Sequence, residues 1–243
     1  MNRLLCFWAI VCLTFITSQA GEPFEKDTVR TADRDLVMTF IGHGTLMFEY
    51  GDTVIHIDPV GRYADYGKLP KADLVLITHH HFDHLDADAI KRVSKKNTRI
   101  ILTEKAREHL EIGVVMNNGE TMTVQGIPVK ALPAYNIKHV RDNGEPFHPK
   151  GDGNGYVLTF ADKIIYIAGD TENIPEMQQL EKIDIAFLPM NLPYTMDPEM
   201  VFQTVQVINP GILYPYHFGN TDTDSLVKML ENSDTEIRIR NLE

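Results

Sequence analysis

Residues 74–86 read LVLITHHHFDHLD. A run of apolar and β-branched residues, the pattern of a strand buried on both faces, leads directly into four histidines and two aspartates within eight positions. Polar side chains crowded at the end of a buried strand cost free energy unless something pairs with them. Histidine nitrogen and carboxylate oxygen are the donors that zinc-class metals accept. In the spacing H-x-H-x-D-H, the strand end supplies rigidity, and the loop that follows lets His79, His81, Asp83 and His84 turn toward one point. The bland alternative, a set of solvated loop histidines, leaves four ligand-type residues in six positions without a reason. His80 falls in an x position and is expected to point away.

Such a site needs ligands from elsewhere in the chain, and three later positions offer them. Asp170 ends the strand pattern KIIYIAGD, where Gly169 allows a close backbone approach. His217 ends ILYPYH, and His148 sits in the Gly- and Pro-rich loop 136–155 as FHPKG. Singly, Asp170 reads as a turn residue and either histidine as a satisfied core group. Their weight comes from the set.

The rest of the chain reads as short apolar runs separated by turn signals. Residues 21–35 are polar and are expected to be a loose N-terminus. Strands are expected at 35–40, 45–50, 53–58, 74–79 and 99–103, with Gly51-Asp52 marking a hairpin. Helices are expected from Asp86 and over 104–110. In the second half, strands fall at 114–117, 120–124, 127–135, 155–160, 163–170, 184–190, 212–219 and 236–242. Helices fall at 174–183, 198–208 and 222–233. Two mixed sheets packed face to face, with helices outside, account for this order: an α+β, four-layer αββα sandwich in one domain, 21–243. A loop as long as 136–155 in a compact domain points to function or mobility.

The first residues, MNRLLCFWAIVCLTFITSQA, carry Arg3, an apolar stretch and a small-x-small end at Ser18-Gln19-Ala20. They read as a secretory signal peptide cut after Ala20, too short for a span of roughly 20 apolar residues. A secreted or periplasmic protein with no stable membrane anchor follows. Both cysteines, Cys6 and Cys12, lie in that segment. The mature chain then has no disulfide, no thiolate nucleophile and no cysteine ligand. A net charge of −11 argues against nucleic acid as a partner, since phosphate binding needs basic patches. A small-molecule substrate is the expected partner.

THHHFDHLD, then IYIAGDTE, then YPYHFG together resemble the metallo-β-lactamase-fold hydrolases. GHGTLMFEYGDTVIHIDP and FHPKGDGNGYVLTF are similar to the lactonase/phosphodiesterase-like branch of that superfamily. The resemblance covers about residues 36–220 and implies the αββα sandwich with a metal site at one edge of the two sheets. It implies two divalent ions, zinc first, with manganese or iron as alternatives. It puts His79, His81 and His148 on one ion, Asp83, His84 and His217 on the other, and Asp170 between them. His139, in the same loop, competes with His148 for the third position. Asp58 is either an acceptor behind a ligand histidine or a pre-proline strand cap. His43 either touches substrate or packs in its turn.

Two ions sharing a water would make hydroxide available near neutral pH. With Asp83 and Asp170 as the catalytic carboxylates, the expected reaction is hydrolysis of an ester, lactone or phosphodiester. β-Lactam hydrolysis is disfavoured, because the resemblance implies that antibiotic-hydrolysing members lack the bridging carboxylate. An oxygen-reducing di-iron role is disfavoured because such members place a carboxylate where His81 stands. A non-catalytic metal-binding protein is the remaining class. Tyr63, Tyr66 and Tyr194 are candidates to line a pocket. Lys138, His139, Arg141 and Lys150 form a basic stretch that either attracts an anionic substrate or is solvated loop charge.

Overall fold

The computed structural model describes residues 24–242, so the expected signal peptide lies outside the described residues. The first sheet runs β1 (Glu25–Arg30), β2 (Asp35–Gly42), β3 (Thr45–Tyr50), β4 (Thr53–Ile57), β5 (Ala72–Leu76), β6 (Ser94–Leu102) and β7 (Val114–Val115), adjacent in space as in sequence. The second holds β8 (Thr121–Val124), β9 (Ile127–Ala134), β10 (Gly153–Phe160), β11 (Lys163–Ile167), β12 (Ile185–Pro189), β13 (Ile212–Tyr216) and β14 (Glu236–Ile237), also in sequence order. Each sheet begins antiparallel and turns parallel after its fourth strand. The two halves of the chain thus share one plan without a visible sequence repeat.

Helices α1 (Ala87–Val93) and α2 (Glu104–Leu110) follow β5 and β6, while α3 (Pro198–Ile208) and α4 (Thr223–Met229) follow β12 and β13. Parallel neighbours require such crossovers. Leu74 and Leu76 of β5 enter the core between the sheets, with Phe48, Tyr156, Ile167 and Phe187. Val75 and Ile77 face the other way, into a second cluster with Ile90, Val93 and Ala106 of the outer helices. The uninterrupted apolar run before the histidines is therefore a strand buried on both faces. On the second sheet, Val201, Val205 and Ile208 of α3 close the outer face.

Three elements differ from the sequence expectation. The polar stretch before residue 35 is not loose throughout: Glu25–Arg30 is an edge strand paired with β2. Asp27 anchors it, meeting Tyr214, Arg238 and Arg240 from the far end of the chain. Residues 174–183 form a 3₁₀ turn over Pro175–Gln179, not a long α-helix. Ile174, Met177 and Leu180, at the two caps and between them, pack on the core every third residue, which matches the 3₁₀ repeat rather than 3.6. The last strand stops at Ile237, and the following residues run on as a strap held by Asp27.

Candidate metal centre

Where the parallel strands end, both sheets release polar residues at the same edge. Asp58 follows β4, Thr78 and His79 follow β5, Asp170 follows β11, Asn191 follows β12 and His217 follows β13. The turn between β2 and β3 adds His43. After β5 a short turn carries the motif: the backbone N–H groups of His84 and Leu85 both donate to the His81 carbonyl, which folds His81, Asp83 and His84 back over His79.

All seven residues singled out as ligands come together. His79, His81 and His148 place one donor atom each within 4.8 Å of one another. His43, Asp83, His84 and His217 form a second such group. Asp170 lies between them: its Oδ2 is 3.2 Å from His148 Nε2, 3.8 Å from His79 Nε2 and 3.4 Å from His217 Nε2. Its Oδ1 is 3.5 Å from His84 Nε2. Gly169, at φ +67°, lets the chain turn here; a Cβ on it would meet the Asn154 carbonyl at 2.8 Å.

The imidazoles are oriented from behind. His84 Nδ1–H donates to Asp58 Oδ2 at 2.8 Å, and Asp58 also accepts from the Thr78 N–H at 2.7 Å and its hydroxyl at 2.6 Å. That hydroxyl in turn accepts from His79 Nδ1–H at 3.0 Å. His148 Nδ1–H donates to Asn136 Oδ1 at 2.7 Å. The Asn191 amide lies 3.4 Å from His217 Nδ1. The acceptors behind His79, His84 and His148 fix the tautomer that turns a bare Nε2 toward the centre. Asp58 therefore sits behind a candidate ligand, one of its two sequence readings.

The donor set fits a cation. His79 Nε2, His84 Nε2, His217 Nε2 and Asp170 Oδ1 are buried with no hydrogen-bond partner among the described residues, an arrangement that costs free energy unless a ligand joins them. Burial and the nearby His84 hold His79 well below the usual histidine range. Burial and His148 hold His81 down to about 4. Burial would lower His84 too, yet the Asp170, Asp58 and Asp83 carboxylates outweigh it and push it up to about 9. Burial raises Asp170, but His217, His84 and His148 outweigh it and hold the carboxyl well below its usual range. The field at the shared point favours positive charge, and no thiolate stands among the described residues, so a borderline or hard divalent ion suits it.

His139 is elsewhere. Its Nδ1 lies 2.9 Å from the Thr195 carbonyl and 3.0 Å from Glu172 Oε1. Glu172 is a residue that sequence reasoning missed. Buried two positions after Asp170, it accepts from the backbone N–H groups of Ile137, Lys138 and His139 and from the Asn136 amide, pinning the start of the loop that delivers His148. The acidic residue in GDTE was the available signal. Asn136 and Asn191 were also missed, and short loop amides carry no sequence signal of their own. Tyr194 lines the cavity beside the centre. Tyr63 stacks on His43 with ring centroids 5.7 Å apart, and Tyr66 is buried under α1.

The sequence matches the family described as the Beta-lactamase superfamily domain over residues 37–217. A UPF0173 metal-dependent hydrolase of Nanoarchaeum equitans is 31% identical over 187 residues, covering 74% of this chain and 82% of that one. A solved structure from Parabacteroides distasonis, assigned as a metal-dependent hydrolase, is 46% identical with a TM-score of 0.87, covering 90% of this chain and all of that one. A metallo hydrolase of Ignicoccus hospitalis is similar at 25% identity and a TM-score of 0.71, covering 85% and 95%.

Proposed function

The chain belongs to the metallo-β-lactamase superfamily and is a metal-dependent hydrolase; from that premise we propose that it works with two divalent ions, zinc first, on an ester, lactone or phosphodiester. The observation that carries this reading is the position of Asp170, whose carboxylate faces histidines of both groups at once. His79, His81 and His148 would hold one ion, Asp83, His84 and His217 the other, and Asp170 both. Bound there, such ions supply an activated water near neutral pH and polarise the substrate's carbonyl or phosphoryl oxygen.

The chain's own groups do the rest. Burial opposes ionisation of Asp83, but His217, 3.6 Å away, and the His43 contact outweigh it and keep the carboxyl far below its usual range. An ionised Asp83 accepts a hydrogen bond from the attacking water and aims its lone pair. His43 Nε2 stands 3.3 Å from Asp83 Oδ2, and burial keeps His43 lowered, so a neutral ring can donate there and hold the carboxylate in place. The cavity over the centre has a volume of about 320 Å³, at the small end of small-molecule sites. In the reading we favour, the mature chain begins at Gly21 and acts outside the cytoplasm; the mass of the exported protein checks this.

Zinc-loaded protein is expected to hydrolyse bis(p-nitrophenyl) phosphate or a simple γ-lactone, to lose that activity with a chelator, and to leave a chromogenic cephalosporin intact. Cephalosporin hydrolysis with both other substrates untouched would refute the proposal.

A further inference from the structure

The cavity over the centre is not evenly polar. Beside the metal-ligand candidates, it is lined by Arg141, Phe147 and Tyr194 and by Phe82, which is 82% exposed. The Arg141 guanidinium carbon sits 5.0 Å over the centroid of Phe147, and its Nη2 donates to the Phe147 carbonyl at 3.2 Å. Tyr194 packs edge-on against the same ring, centroids 5.0 Å apart at 81°. This platform is tied to the centre by one peptide bond, since His148 follows Phe147. It is fixed from both sides. Arg141 sits in a tight turn, its N–H donating to Glu145 and its carbonyl accepting from Gly144. The Tyr194 carbonyl accepts from the Asn136 amide at 2.9 Å.

Arg141 is the one lysine or arginine among the described residues lining that cavity. No carboxylate of the described residues lies in ion-pair distance of it. Lys150, on the same loop, is different: it is paired with Glu176 at 2.7 Å and lies outside the cavity lining. In a chain of net charge −11, an unpaired guanidinium stacked beside a hydrolytic centre leaves N–H donors free for a bidentate anion.

We propose that Arg141 and the Phe147–Tyr194 platform form a subsite for substrates that carry a carboxylate or phosphate remote from the bond cleaved, together with a flat or apolar group. The anion docks on Arg141, and the apolar group lies along the rings. This rests on the hydrolase reading above and narrows its substrate class.

The test compares mono-p-nitrophenyl glutarate with p-nitrophenyl valerate, which differ by a terminal carboxylate in place of a methyl group. On the zinc-loaded protein, kcat/KM for the anionic ester over the neutral one is expected to fall about tenfold in Arg141→Gln, the lower end for a hydrogen bond to a charged group. Lys150→Gln is expected to keep the wild-type ratio. An equal fall in both variants, or in neither, overturns the subsite. Binding of the matching p-nitroanilides, measured by calorimetry, separates this from the hydrolase reading. If neither ester is cleaved but the anionic anilide binds about tenfold more weakly to Arg141→Gln than to wild type, the subsite stands and the ester reading falls. Equal affinity in the two proteins overturns the subsite even where both esters are hydrolysed.

Discussion

Asp58 never faces the cavity, yet its replacement by asparagine is expected to weaken metal binding. In the wild type the carboxylate is fully buried and accepts three hydrogen bonds, from the Thr78 N–H, the Thr78 hydroxyl and His84 Nδ1–H. Asparagine keeps the shape but trades one acceptor oxygen for an NH₂ donor. With its oxygen kept on the Thr78 N–H, the amide nitrogen faces His84 Nδ1. That ring must then carry its proton on Nε2, the atom turned toward Asp170. A proton there competes directly with a metal ion. Loss of one such orienting contact costs about 10- to 100-fold in metal affinity, or about 1.4–2.7 kcal/mol. Competition between the protein and a chromogenic zinc chelator measures this, with circular dichroism and a urea midpoint to show that Asp58→Asn is folded. A folded variant that binds zinc as tightly as the wild type would refute the reasoning, because His84 could then not depend on Asp58 for its tautomer.

Other consequences follow from particular contacts. Gly44→Ala would place a Cβ 2.7 Å from His84 Cε1 and 3.2 Å from its Nδ1; the ring is buried and must move, so metal affinity should fall and stability drop by about 1–3 kcal/mol, read by chelator competition and urea unfolding. His56 donates through Nε2 to the Pro70 carbonyl at 3.0 Å, and burial holds it down to about 4. Its unfolded form binds a proton near 6.5, so the native state gains stability as pH rises from about 4 to 6.5 and loses it on the way down. Between pH 6.5 and 4.5 this is about 2–3 kcal/mol, and His56→Gln, whose amide nitrogen can keep the bond to Pro70, should remove that part of the pH slope in metal-free denaturant titrations. Asp27→Ala should destabilise by about 1–3 kcal/mol by freeing the Arg238–Leu242 strap from β1; an unchanged urea midpoint would show that the strap is not held this way.

Much of the layering was legible because burial writes a period into the chain. LVLI is apolar at every position since β5 lies between two cores, and the Gly51-Asp52 turn marks the β3–β4 hairpin. The clustering of ligand-type residues was legible for a related reason: the polar residues stand at strand ends, where a period breaks off. What stayed hidden depends on distant partners. β1 has no apolar stripe, and its place is fixed by Arg238 and Arg240 from the other end of the chain. His148 and His139 competed for one position in sequence, with FHPKG favouring His148, and they part because Glu172 and Thr195 take His139 while Asn136 takes His148. Arg141 and Lys150 were likewise one basic stretch on paper. Glu176 pairs with Lys150 and leaves Arg141 at the cavity.

The proposed centre is a site for two ions joined through Asp170. Metal content per chain of residues 21–243, produced without a polyhistidine tag and measured by inductively coupled plasma mass spectrometry, tests it most directly. About two zinc, manganese or iron ions per chain are expected, falling when Asp170 is replaced by alanine in a protein that remains folded. No metal after reconstitution, or the same metal content in Asp170→Ala as in the wild type, would contradict it.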